Sequence, residues 1–251
     1  LQLADSCFLT EPPEATTEQL NELRDEYQEL FGPDYASMEQ VIDDAVTPHI
    51  ASPDVHVDEY NEQVVMYFHG LDQLGVQSTR VAVASDGLNF HARRAVLGPS
   101  YFRVFEHGGW FYALVMPGVI RRSRSRFGPF ECGPQLFERD MRHSAVMVRD
   151  STLHVFWSRV GDCPESILHS QIDLTPDWMQ WAESSPELVL RPEHAWEGSD
   201  LPIQASQRGA INTPVHQLRD PAVFVEGDRT FLLYSAAGES CIGMAQVFLD
   251  D

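Results

Sequence analysis

The stretch RDPAVFVEGDRTFLLYSAAG (residues 219–238) reads as a charged opening, a strand, a tight polar turn, a second strand rich in aromatic side chains and a closing glycine. Three further stretches share that form: SPDVHVDEYNEQVVMYFHG (52–70), YFRVFEHGGWFYALVMPG (101–118) and RHSAVMVRDSTLHVFWSRVG (142–161). The repeat extends beyond the hairpins. After the first hairpin, QSTRVAVA (77–84) reads as a third strand, Ser85-Asp86-Gly87 as a turn and residues 89–96 as a fourth strand; residues 167–172 and 179–182 take those places in the third unit. Each unit is then a four-stranded antiparallel blade, and radial repetition of blades is how a propeller keeps its sheet edges short and protected. The expected fold is all-β, a five-bladed β-propeller. Four units start near residues 52, 101, 142 and 219, and the first blade is incomplete or borrowed from residues 1–15. The last unit ends with CIGMAQVF (241–248) and lacks a fourth strand. A β-sandwich of about seven strands is the competing architecture, but it requires no repeat.

Residues 1–50 differ from the remainder, residues 51–251, and read as a remnant of the first blade carrying a helical insertion. Thr16 to Gln19 offers a capping box, and Leu20, Leu23, Tyr27, Leu30 and Phe31 recur at helical spacing until Gly32-Pro33. A second helix is expected from Ser37 as N-cap through Val41, Ile42, Ala45 and Val46, stopping before Pro48. Both helices read as decoration packed on the main body.

The 251 residues are 43% hydrophobic, enough for a real core, and carry 17 basic against 38 acidic side chains for a formal charge of −21. Such a surface repels phosphate backbones and anionic lipid headgroups, so neither nucleic acid nor membrane is an expected partner. All seventeen basic residues are arginine. Adaptation to high salt explains both the acid excess and the missing lysines, whereas a GC-rich genome explains only the second; the salt reading predicts a melting temperature that rises with KCl. Cys7, Cys132, Cys163 and Cys241 are scattered without metal-ligand spacing, which suggests free thiols in a reducing, cytoplasmic setting. No apolar stretch is long enough to span a bilayer, and no signal peptide is recognisable, although one could be missing with the N-terminus.

In a propeller the innermost strand of each blade starts beside the central axis, so the openings Ser52-Pro53-Asp54, Tyr101-Phe102-Arg103, Arg142-His143 and Arg219-Asp220-Pro221 are expected to converge on one shallow pocket. Paired carboxylates there suit sugar hydrolysis, and guanidinium groups suit an anionic sugar. Each residue also has a plainer reading: Arg219-Asp220 as a clamp between blades, Asp54 as a turn cap, His143 as a core histidine. His69 and Glu239, at the ends of second strands, are candidate ligand contacts or rim residues. Glu197, in the Trp196–Asp200 loop, could be laid over the pocket or sit on the surface. Arg121, Arg122, Arg124 and Arg126 form the only basic run. It is read as a solvated edge strand or as a patch for an acidic polysaccharide or an acidic tail.

The motifs SPDVHVD…VVMYFHG, VAVASDGLNF, MRHSAVMV…LHVFWSRVGD and LRDPAVF…FLLYSAAGES resemble the five-bladed β-propeller superfamily that includes glycoside hydrolase families 43 and 32, nearest to a glycosidase-like group of bacterial and archaeal proteins without an assigned activity. The likeness covers residues 51–248. It implies a carbohydrate ligand or substrate and a catalytic centre with an Asp as base or nucleophile, a Glu as general acid and an orienting Asp. Arg219-Asp220-Pro221 matches the Arg-Asp-Pro of such enzymes and Asp54 is similar to the Asp that opens an inner strand. Glu197 is the positional candidate for the acid; Arg103, Arg142 and Arg219, with His143, His69 and Glu239, would hold the sugar. No organic cofactor is implied, and an axial Ca²⁺ has no ligand motif in the sequence. A non-catalytic propeller binding a glycan or a protein through the same face is the alternative.

Overall fold

The computed structural model describes residues 2–31 and 38–249. Two compact units are present. The first runs through Val104 and adds Gly109–Val115 and Arg121–Glu131; the second holds Phe105–Gly108, Met116–Ile120 and the chain from Cys132.

Four sheets carry the repeat, which excludes a two-sheet sandwich. The first contains β1 (Gln2–Ala4), β2 (Ile50–Asp58), β3 (Gln63–Gln73), β4 (Val76–Ala84) and β5 (Asn89–Ala92) in the order β1-β5-β4-β3-β2, with β6 (Gly98–Pro99) also paired to β4. The second is β7 (Phe102–His107), β8 (Trp110–Val115), β9 (Val119–Ser123) and β10 (Glu131–Gln135); the third is β11 (Met141–Arg149), β12 (Thr152–Arg159), β13 (Ile167–Asp173) and β14 (Glu187–Leu190). The fourth has three strands, β15 (Leu218–Glu226), β16 (Arg229–Ala236) and β17 (Cys241–Val247). The second strand of each repeat is the most buried because both its faces are covered. In β3, Val65 and Tyr67 join a cluster with Val81, Phe102, Val104 and Val115, while Met66 and Phe68 join another with Phe8, Ala82 and Phe90. In the second unit Phe156, Ile167, Leu218, Leu232 and Tyr234 form a core of their own.

Three expectations are corrected. The described residues form four sheets, not five: β1 does not seed a separate blade but adds in parallel to β5, with Gln2 opposite Asn89 and Ala4 opposite His91. The fourth strand of the first unit stops at Ala92 rather than residue 96. In the third unit, residues 178–180 form a 3₁₀ turn and the fourth strand lies later, at Glu187–Leu190. A turn cap and a distant packing contact decide this. The Asp177 carboxylate accepts from the Met179 N–H at 2.9 Å and caps the turn, and the Trp178 ring lies where a side chain on Gly133 would have to go.

Both N-terminal helices belong to the first unit. Helix α1 (Thr17–Phe31) starts at the expected capping box: the Gln19 N–H donates to Thr16 Oγ1 at 3.2 Å and the Thr16 N–H to Gln19 Oε1 at 2.9 Å. Helix α2 spans Met38–Val46; the expected stop at Gly32-Pro33 and cap at Ser37 lie outside the described residues. The helices dock on the tight β3–β4 turn, where left-handed Gly75 (φ 68°) meets Leu23 and donates its N–H to the Ala45 carbonyl at 2.9 Å. Substituting Thr16 by Ala removes the reciprocal cap and costs about 1 kcal/mol. Thermal unfolding checks it, with an expected fall of about 2–4 °C.

Candidate functional site at the strand openings

All four repeats open their first strand on the same device. Ser52, Tyr101, His143 and Asp220 each have a left-handed backbone, with φ of 52°, 65°, 46° and 46°. In the first, third and fourth sheets the ladder slips there, between Ala51 and Asp54, Arg142 and Ala145, and Arg219 and Ala222. Such bulges re-aim a side chain, and a non-glycine residue in this region costs on the order of 1 kcal/mol, a strain that gathers at functional positions. The register also separates two candidates that the sequence treats alike. Asp220 is the bulged residue of its strand, equivalent to Ser52, whereas Asp54 stands two places later, equivalent to Ala145 and Ala222.

In the first unit, Asp54 is 17% exposed, and its Oδ2 receives both the Val104 N–H at 2.7 Å and His56 Nε2 at 2.9 Å. Burial pushes this carboxyl up, but the His56 hydrogen bond and charge, the Arg103 charge and the Val104 N–H outweigh it, so Asp54 sits below the usual aspartate range. Among the described residues its Oδ1 accepts no hydrogen bond. Arg103 Nη1 donates to the Ser52 and Phe102 carbonyls, each at 3.1 Å, and so fixes the opening it belongs to. His69 lies opposite Ala51, buried, with its ring 4.9 Å from Tyr101 and 5.9 Å from His49. Burial, then the charges of His49 and Arg103, push it down to about 3, so it is neutral at pH 7.

In the second unit, His143 Nδ1 stands 3.3 Å from Asp220 Oδ1, pairing the bulged residues of β11 and β15. Behind them lies a buried ion cluster. Glu165, fully buried, takes Arg142 Nε at 3.0 Å and Nη2 at 2.5 Å, and its Oε2 lies 3.3 Å from Arg219 Nε. Arg219 also donates to Gln217 Oε1 from Nε (3.0 Å) and Nη2 (2.6 Å), and to Glu239 Oε1 from Nη1 (3.3 Å). Burial, then the Arg142 charge, lower the Arg219 pKa. Arg142 and Arg219, expected as sugar contacts, spend these donors on protein acceptors. Glu239 keeps 34% of its side chain exposed beside them.

Glu197, the positional candidate for the general acid, is also engaged within the protein. Its Oε2 accepts the N–H groups of Glu193 (2.8 Å) and His194 (2.9 Å), and its Oε1 accepts the Tyr234 hydroxyl at 2.8 Å. Burial raises its pKa, but those three donors and the His194 charge bring it below the usual glutamate value. A general acid must hold a proton near neutrality; this carboxylate does not. It ties its loop to β16.

Two features escape the sequence. Glu165 lies in CPESILHS (163–170), where nothing in the pattern marks it as a partner for two arginines. His154 and His169 meet with Nδ1···Nε2 at 3.0 Å, both buried. Burial, then the charges of His169 and Arg149, take His154 down to about 4, and burial lowers His169. Below pH 6.5 the unfolded chain protonates these imidazoles and His69 while the folded protein does not, so stability falls as the pH drops toward 4. By pH 5 the loss is about 2 kcal/mol each for His154 and His69. Urea midpoints at pH 7.5 and pH 5 measure it, with a smaller gap expected in His154→Gln.

No family model matches the chain. It is 34% identical over 218 residues, 79% of its length, to an uncharacterized protein of Acanthamoeba polyphaga mimivirus, and spans 61% of that relative. Among solved structures it is similar to a thermostable family-43 glycoside hydrolase (17% identity, 80% of this chain and 69% of that one, TM-score 0.57). It is also similar to an endo-1,4-β-xylanase of Bacteroides thetaiotaomicron (16% identity, 78% and 68%, TM-score 0.56) and to a Cellvibrio cellulosa α-L-arabinanase complexed with arabinohexaose (11% identity, 80% and 75%, TM-score 0.52). Among the described residues no helix is long and apolar enough to cross a membrane. The four sheets and these likenesses establish one thing: the chain has the all-β propeller fold on which family-43 glycoside hydrolases are built.

Proposed function

We propose that this protein acts on a carbohydrate at its strand openings, as a relative of the glycoside hydrolases whose fold it shares. The observation that carries the reading is the left-handed, non-glycine residue repeated at the start of all four inner strands, as Ser52, Tyr101, His143 and Asp220. Asp54, ionised and with Oδ1 available, is suited to act as base or nucleophile. In the second unit, Asp220, held against His143, is suited to orient the imidazole. Arg103 and His69 in the first unit, and Glu239 in the second, are the further side chains offered to a ligand. Glu239 and His143 are the second unit's candidate proton donors, since Glu197 is held in its ionised form.

One observation favours a second reading, a non-catalytic glycan-binding propeller. Arg142, Arg219, Glu165 and Glu197 spend their polar groups on one another and on the backbone, as a scaffold would. The test incubates the protein with arabinohexaose, xylo-oligosaccharides and aryl glycosides, following reducing ends and heat of binding together. Turnover supports the enzyme. Binding without turnover supports the second reading, and neither would overturn both.

A further inference from the structure

The first unit carries a second feature, away from the openings. Strand β7 leads from Phe102 to His107, about 17–20 Å at ~3.3 Å per residue, so Trp110 lies at the far end of its sheet from Tyr101 and Arg103. There the basic run folds onto aromatic rings. Arg124, exposed, stands 3.4 Å over the Trp110 ring and Arg122 stands 4.2 Å from it. Arg126 lies 5.0 Å over Phe111, and Arg93, exposed, 3.6 Å over the neighbouring Phe127. Glu131 lies 2.6 Å from Arg122 and Asp58 lies 3.1 Å from Arg126. Among the described residues, Arg93 and Arg124 have no ion-pair partner. These two guanidinium groups thus keep their charge unpaired in a chain of net charge −21.

A guanidinium stacked on a ring spends its face, not its edge. Its N–H groups stay in the plane, pointing away from the ring, in the fork that binds a carboxylate through two parallel hydrogen bonds. The stack also fixes the side chain before a ligand arrives, which lowers the ordering cost of binding. Two such forks suit a ligand with a few well-spaced carboxylates. They do not suit duplex DNA, whose charge every 1.7 Å would run on over an acidic surface.

We propose that Arg93, Arg122, Arg124 and Arg126, stacked on Trp110, Phe111 and Phe127, form a binding patch for a uronate-bearing glycan. The choice of a glycan rests on the carbohydrate reading of the strand openings; the carboxylate requirement rests on the patch alone. The patch shares no residue with that reading, so the two fail separately.

The experiment is calorimetric titration of the whole chain with hexagalacturonate, arabinohexaose and an oligoglutamate of matching charge, at 50 and 200 mM salt. Hexagalacturonate is expected to bind at least tenfold more tightly than arabinohexaose and to weaken with salt. The Arg93→Ala/Arg124→Ala variant, altered only at exposed side chains, is expected to lose at least tenfold of that affinity with its melting temperature kept. Arg124→Lys should lose several-fold, because lysine keeps the charge and loses the fork. Equal affinity for the neutral sugar, equal affinity for oligoglutamate, or unchanged binding in the double variant would each overturn the proposal. Unchanged hexagalacturonate binding by Asp220→Asn supports it, and loss of turnover in that variant bears on the openings alone.

Discussion

Glu165→Gln is expected to melt on the order of 10 °C below the wild type. The side chain is fully buried and is the shared partner of two guanidinium groups that are themselves almost fully buried. Gln keeps the shape and removes the charge, which leaves two cations in a low-dielectric interior, with Gln217, the Gly209 carbonyl and the partly exposed Glu239 to answer Arg219. Removing one partner of a buried ion pair costs about 3–5 kcal/mol. At about 2–4 °C per kcal/mol for a chain of this size, the loss is visible in any calorimetric scan. Glu226→Gln, whose exposed carboxylate meets Arg229 within the β15–β16 turn, is the control, and its cost should stay below about 1 kcal/mol. A Glu165→Gln melting point within 2 °C of the wild type would mean that the cluster is not a clamp.

The second large effect concerns chemistry. On a responsive glycoside, Asp54→Asn and Asp220→Asn should each lower kcat/KM by about a thousandfold or more, roughly 4 kcal/mol of transition-state stabilisation. Asn at 54 still accepts from the Val104 N–H but cannot take a proton. Asn at 220 removes the charge beside His143. The pH profile adds a sign. Asp54 is held below the usual aspartate range, so its protonation limits activity only at pH values below that range. A general acid works only while protonated, so its titration sets the alkaline limb, and loss of that limb in His143→Gln would assign the acid to His143. Glu197→Gln should act differently, lowering stability through its loop while turnover per folded molecule stays near the wild-type value.

The hairpins were legible because each carries its own chemistry: period-two strands, a polar turn, and a closing glycine that is left-handed at Gly118, Gly161 and Gly238. Thr16 and Gln19 announced α1 for the same reason, since both halves of the cap lie within four residues. Misreadings arose where a distant or competing contact decides. Met179 to Ala182 has strand composition, but Asp177 caps a turn there and Trp178 packs on Gly133. Residues 2–4 join β5 across more than eighty positions of chain, which no local pattern records. At the openings, the residue types were visible but their register was not. Asp54 and Asp220 look alike in sequence, and only the bulges show that one is the strained residue while the other stands two places beyond its own bulge. Glu197 looked available because its three donors come from the backbone and from Tyr234, 37 positions away.

If the strand openings meet carbohydrate, hydrogen–deuterium exchange with and without the oligosaccharide that responds in the panel will register it there. Slowed exchange is expected in residues 50–56 and 101–104, abolished by Asp54→Asn, or in residues 142–145 and 219–222, abolished by Asp220→Asn. Protection confined to other segments, or binding and turnover untouched in both Asp54→Asn and Asp220→Asn, would contradict a carbohydrate site at the openings.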